Sequence, residues 1–230
     1  MGWAVNEGYV EKNIIRTIEP PKVQEPIIEP FTKEEVQALL KACDVSKTWK
    51  NRSTTTNTRP TADRDRALIL TLLDSGIRAS ELCGIKKADL DLTSNSIKVI
   101  GKGNKPRLVQ IGRRTSQAIW KAMLSRLESM RDDDPVFAVG TNGNERPLTR
   151  FHLLTLLERL GERAGVKSVY PHRFRHSFAI AYLRNGGDVF TLQQLLGHSE
   201  LAMVRRYARI AQTDCAVVHQ RASPVDNWRL

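Results

Sequence analysis

Cysteine is scarce in this chain. Cys43, Cys83 and Cys215 stand far apart, odd in number and without Cys-x-x-Cys spacing, a pattern that gives neither a disulfide framework nor a zinc-binding pair. They are expected as reduced core residues. Long apolar runs are also lacking: nothing approaches the roughly 20 residues of a bilayer-crossing helix, and no basic start, apolar centre and small-residue cleavage site marks a leader. A cytoplasmic protein with no membrane partner is the expectation. Acidic residues are in deficit, 25 against 36 Lys and Arg, for a formal net charge of +11. Such an excess favours a polyanionic partner over a merely soluble basic protein.

What is present is a chain of 230 residues, 40% hydrophobic, enough for one sizeable core. Residues 1–18 carry Trp3, Val5, Tyr9, Val10, Ile14 and Ile15 but have no core of their own, and resemble the end of something larger. Pro20, Pro21, Pro26 and Pro30 follow; each removes a backbone donor and biases its predecessor towards extended conformations, so residues 19–30 read as a linker. From residue 31 to 230 the pattern is that of one domain with a C-terminal tail.

That domain reads as mostly α with a small antiparallel β-sheet, an α+β class. Thr32 and Glu35 form a capping box ahead of a helix running to about Ala42. Residues 46–61 are polar and aperiodic, an exposed loop. Asp63–Ser75 resumes helix, apolar on most sides, and Gly76 stops it. Ile97–Ile100 and Leu108–Ile111 flank Gly-Lys-Gly-Asn-Lys-Pro, a hairpin signal. From about Arg113 onward helix is expected throughout: Thr115–Met130, Thr149–Ala164, Pro171–Arg184, Val189–Leu196, Glu200–Ile210 and Asp214–Gln220, with Gly165, Gly186-Gly187 and Gly197 where C-terminal caps are needed.

Five features carry chemistry, each weak alone. Arg78 follows the break at Gly76 and could grip a phosphate through two parallel hydrogen bonds, or simply pair with Glu81 at the surface. Lys102 projects from the hairpin turn, where lysine is usually just solvated. Pro171 starts a helix that puts His172, Arg175 and His176 on one face. A histidine pair at that spacing suits zinc, but Arg175 would repel a cation and no Glu follows as in His-Glu-x-x-His, so no metal is expected. Spacing alone leaves open which histidine faces a ligand. His198 follows Gly197. Tyr207 lies at the edge of an apolar stripe formed by Leu201, Val204, Ala208 and Ala211, with Arg205, Arg206 and Arg209 around it; a core tyrosine fits equally. Together these residues supply a nucleophile, proton acceptor and donor, and cations for metal-free phosphodiester transesterification.

Taken in order, Arg78, Lys102, His172-x-x-Arg175, Leu195-Leu196-Gly197-His198 and Tyr207 resemble the active-site pattern of the tyrosine recombinases of the phage-integrase family, Xer-like and integrase members in particular. The likeness runs from about Phe31 to the C-terminus. It is most specific from Pro-His-Arg-Phe-Arg-His-Ser-Phe-Ala, at 171–179, to Arg-Arg-Tyr-Ala at 205–208. The resemblance implies a site-specific DNA recombinase without cofactor, working through a 3′-phosphotyrosyl intermediate. In it Tyr207 attacks, Arg78, Arg175 and His198 bind the non-bridging oxygens, Lys102 protonates the departing 5′ oxygen, His172 assists proton transfer, and Glu81 and His176 orient the set. It further implies double-stranded DNA as partner and a tetrameric synaptic complex with exchange of the C-terminal tail, for which Ala216, Val217 and Val218 supply an apolar patch. It also makes residues 1–18 the last helix of an otherwise missing core-binding domain, and the chain a truncated one, although some members are naturally short. A type IB topoisomerase would share the chemistry, and a non-catalytic DNA-binding module would share the fold.

Overall fold

The computed structural model describes residues 2–11, 28–44, 59–101, 103–140, 145–197 and 223–225, together with Tyr207 and His219. Its elements are α1 (Gly2–Asn6), α2 (Lys33–Asp44), α3 (Ala62–Ser75), α4 (Ala79–Cys83), β1 (Leu90–Asp91), β2 (Ser96–Ile100), β3 (Pro106–Gln110), α5 (Arg113–Met123), β4 (Ala138–Val139), β5 (Arg146–Pro147), α6 (Arg150–Ala164), α7 (Pro171–Arg184) and α8 (Val189–Leu196). The fold is mostly α, as the hydrophobic periods require. Among the described residues no helix is long and apolar enough to cross a membrane.

Local chemistry explains the boundaries. Thr32 and Glu35 close the expected capping box, each side chain accepting from the other's backbone N–H at 3.1 and 2.9 Å. Gly76 caps α3 at φ +60°, a left-handed conformation that suits glycine. Gly165 and Gly197 do the same for α6 and α8. The Thr149 hydroxyl accepts from the His152 N–H to start α6, and the Asp188 carboxylate accepts from the Phe190 and Thr191 N–H groups to start α8. The C-cap of α7 is Asn185, not the glycine pair that follows it.

Three strands form one antiparallel sheet in the order β1-β2-β3, with Ile97 opposite Val109 and Val99 opposite Arg107. Ile97, Val99 and Val109 alternate into the core. β1 is too short for a periodic signal in the sequence. Two expectations need correction. The helix over Thr115–Met130 ends at Met123, followed by a 3₁₀ turn over Leu124–Arg126, in which Arg126 turns inward to the Val136 carbonyl. The chain beyond Arg113 is also not wholly helical, because β4 and β5 pair antiparallel in a stretch read from too few residues to show alternation.

A large core joins α2, α3, α5, α6 and the sheet, and Phe174 carries it into α7. A second, smaller cluster joins Phe178, Ala179, Ile180 and Leu183 of α7 to Leu192 and Leu196 of α8 and to Tyr207. The segment before α2 is pinned to α7. Phe31 N–H donates to Ser177 Oγ at 2.8 Å, Arg173 reaches the Glu29 carbonyl and the Glu35 carboxylate, and its guanidinium lies 4.0 Å from the centre of the Phe31 ring. α7 is thereby held from both sides, which fixes the face that carries His172 and Arg175. The loop over 46–61 and the helices over 200–210 and 214–220 fall outside the described residues, apart from Arg59–Thr61, Tyr207 and His219.

Candidate active site

Three arginines converge on the C-terminal end of α8. Arg175, 4% exposed, donates from Nη1 to the Gly76 carbonyl and from Nη2 to the Leu196 carbonyl, both at 2.7 Å. Arg107 Nε donates to the Leu195 carbonyl at 3.0 Å. Arg78 Nη2 makes a longer contact, 3.3 Å, with the Gly197 carbonyl. The last carbonyls of a helix lack intrahelical partners and carry its negative pole, so they attract guanidinium groups.

Glu81 ties two of the three together. Its Oε1 accepts from Arg78 Nη1 at 2.9 Å and Arg107 Nη1 at 2.8 Å, and its Oε2 accepts from the Arg78 backbone N–H at 2.8 Å and Arg107 Nη2 at 2.9 Å. Burial alone would raise the pKa of this carboxyl, but the hydrogen bonds from Arg107 and Arg78 and the Arg107 charge outweigh it and hold Glu81 at about 2. Of the two expectations for Arg78, the structure shows the pairing with Glu81, with the carboxylate buried and the Arg78 side chain 36% exposed.

Arg78, His172 and Arg175 line a cleft of about 500 Å³, with Arg150 and Tyr170 on its rim. The His172 pKa is lowered from 6.5, first by burial and then by the neighbouring Arg175 charge, so the ring is neutral at neutral pH. Burial and the Arg78 charge also bring Arg175 down to about 10, which leaves it cationic. Of its five N–H groups, two are held by carbonyls.

The two histidines of α7 separate by position. His172 lines the cleft, while His176 is buried and meets the Tyr207 ring edge-on with centroids 4.8 Å apart. Tyr207 is 1% exposed, deeper than the edge position expected from its apolar stripe, because the α7–α8 cluster closes over it. It lies near enough to Arg175 for their charges to interact. The structure thus gathers Arg78, Glu81, His172, Arg175, His176 and Tyr207 into one region. Lys102 and His198 lie outside the described residues. Among the described residues no cluster of three or more His, Cys, Asp or Glu stands ready for a metal.

Arg107 was missed by sequence reasoning. Its signal was its phase: it stands two residues before buried Val109 on the same face of β3, and a charged side chain on the inward face of a strand needs a buried partner.

The chain matches the model of the phage integrase family over residues 29–214. It is 34% identical over 223 residues to the tyrosine recombinase XerA of Thermococcus onnurineus, covering 96% of this chain and 71% of that protein. The crystal structure of XerA recombinase aligns with a TM-score of 0.66 at 26% identity, over 90% of this chain and 67% of that one. A XerH site-specific recombinase bound to palindromic difH substrate, a post-cleavage complex, aligns with a TM-score of 0.65 at 23% identity, over 90% of this chain and 56% of that one, and shows the likeness of fold alone. Matched by the family model across most of its length and by a relative across nearly all of it, the chain belongs to the phage integrase family, among its Xer-like tyrosine recombinases.

Proposed function

We propose that the chain carries out site-specific recombination of double-stranded DNA with Tyr207 as nucleophile. The Tyr207 hydroxyl attacks the scissile phosphorus, the P–O5′ bond breaks, and a 3′-phosphotyrosyl link forms. His172 assists removal of the tyrosyl proton, and Lys102 delivers a proton to the departing 5′ oxygen. Attack by a 5′ hydroxyl of the partner strand reverses the step and releases Tyr207. Arg78, Arg175 and His198 neutralise the non-bridging oxygens, while Glu81 and His176 orient the arginines and the tyrosine.

One observation carries the reading: Arg175 is buried and, among the described residues, is hydrogen-bonded to two carbonyls and no carboxylate, beside a second arginine and a neutral histidine in an open cleft. Taking a cation out of water without a carboxylate bonded to it is costly; the Glu81 charge offsets part of that cost, and a phosphate in the cleft would offset more. The net charge of +11 supports DNA as the partner through phosphate contacts. Assembly into a tetrameric synaptic complex with exchange of the C-terminal tail belongs to the same reading, and makes activity rise more steeply with protein concentration than binding does.

The test is recovery of recombinant joints from two differently marked duplexes carrying the cleaved site. Joined strands from both parents are expected. Relaxation of supercoiled DNA with resealing of the same strand, and no exchange, would support a topoisomerase instead.

A further inference from the structure

Arg107 differs from Arg78 and Arg175 in where its donors go. Nε, Nη1 and Nη2 are all committed inward, to the Leu195 carbonyl and to both oxygens of Glu81, and its side chain is 15% exposed. Arg78 and Arg175 line the cleft, and Arg107 is not among its lining residues. The surroundings of Arg107 are shaped to its planar group. A Cβ on Gly197 would stand 3.2 Å from its Cζ and Nη1, and a Cβ on Gly101 would stand 3.2 Å from its Nη1. Two glycines thus flank one guanidinium, on β2's exit and on the end of α8.

We propose that Arg107 is a positioning residue of the strand-cutting site, clamping the Glu81 carboxylate to the end of α8 and thereby aligning Arg78 with Arg175, without touching DNA itself. The inference rests on the reading of this cleft as the strand-cutting site. Its physical basis is sharing. Glu81 Oε1 accepts from Arg78 at 2.9 Å and from Arg107 at 2.8 Å, so Arg78 is held by a carboxylate that Arg107 immobilises. The Leu195 carbonyl held by Arg107 adjoins the Leu196 carbonyl held by Arg175 and the Gly197 carbonyl touched by Arg78. Moving Arg107 moves the base on which both phosphate-facing arginines rest. Lysine cannot replace it, because one ammonium lacks the planar fork that spans a carboxylate and reaches a carbonyl.

The experiment uses the full chain and a pool of nicked duplexes of randomised sequence. Strands trapped covalently by the unaltered chain are sequenced, and the preferred site is then made as a defined duplex. On it, Arg107→Lys is expected to bind with affinity within about twofold of the unaltered chain but to cleave roughly 10²-fold more slowly in a single turnover, the scale of a small misplacement of catalytic groups. A second duplex carries a methyl group in place of one non-bridging oxygen of the scissile phosphate, removing charge that aligned arginines would neutralise. The gap between the two proteins is expected to shrink on that duplex, whereas loss of a purely structural prop leaves it unchanged. Gly101→Ala, which presses on the guanidinium without removing it, is expected to lower cleavage in the same direction, and it decides the matter if Arg107→Lys does not fold. Cleavage by folded Arg107→Lys within about threefold of the unaltered chain overturns the proposal, as does an equal gap on both duplexes, or unimpaired Gly101→Ala alongside an unfolded lysine variant. No adduct from the unaltered chain overturns the reading of the site itself.

Discussion

At the scale of single residues, the proposed function gives Arg175 two tasks that one substitution separates poorly. Arg175→Ala removes a preorganised donor, which in such sites costs roughly 10²–10³ in rate, and strands the Gly76 and Leu196 carbonyls, which costs about 1–3 kcal/mol of stability. Cleavage assays beside thermal unfolding should show both losses; near-normal cleavage would remove Arg175 from the chemistry. His172 gives a second prediction. Its pKa is lowered from 6.5 by burial and by Arg175, so the neutral ring persists below the pH where an ordinary histidine protonates. The stability it contributes is fully present above pH 6.5 and is lost as pH falls from there through its lowered value. The acid limb of cleavage should accordingly be centred below pH 6.5, and a limb centred above that pH would exclude His172 as proton acceptor.

At the scale of elements, the junction between α3, α7 and α8 fixes the site. Gly76 stands there at φ +60°, and a Cβ on it would lie 2.3 Å from the Phe178 ring and 3.0 Å from Leu196. Gly76→Ala therefore combines backbone strain with overpacking and should cost roughly 1–3 kcal/mol, seen as a lower Tm, with cleavage falling alongside because the Gly76 carbonyl holds Arg175. An unchanged Tm would mean that α8 yields freely. Much of this junction was legible in the sequence: α7 and α8 begin and end where Pro171, Arg184, Val189 and Leu196 place them, since the proline start of α7 and the glycine stop of α8 are local signals. The arrangement that binds Arg78, Glu81 and Arg107 was not legible. Arg78 and Glu81 are three residues apart, but Arg107 reaches them from 26 residues beyond Glu81, and no local pattern reports a pairing made by sheet and helix packing. β4 and β5 escaped for a different reason, two residues each being too few to alternate.

At the scale of the whole molecule, charge sets the encounter with DNA and the covalent step sets the outcome. With a net charge of +11, affinity for duplex DNA should fall steeply with salt, log K declining in proportion to the phosphates contacted; an affinity equal at low and high salt would deny a phosphate-based interface. Tyr207 lies in the smaller core between α7 and α8, with the His176 ring centroid at 4.8 Å, so its removal as nucleophile can be made with the ring kept in place. The most direct measurement compares the unaltered chain with Tyr207→Phe on nicked duplexes under denaturing electrophoresis, with the linked peptide mapped by mass spectrometry. The account predicts a covalent protein–DNA adduct through Tyr207 in the unaltered chain and none in Tyr207→Phe, which still binds DNA. An adduct formed by Tyr207→Phe, or linkage through Tyr9, Tyr170 or Tyr182, would contradict it.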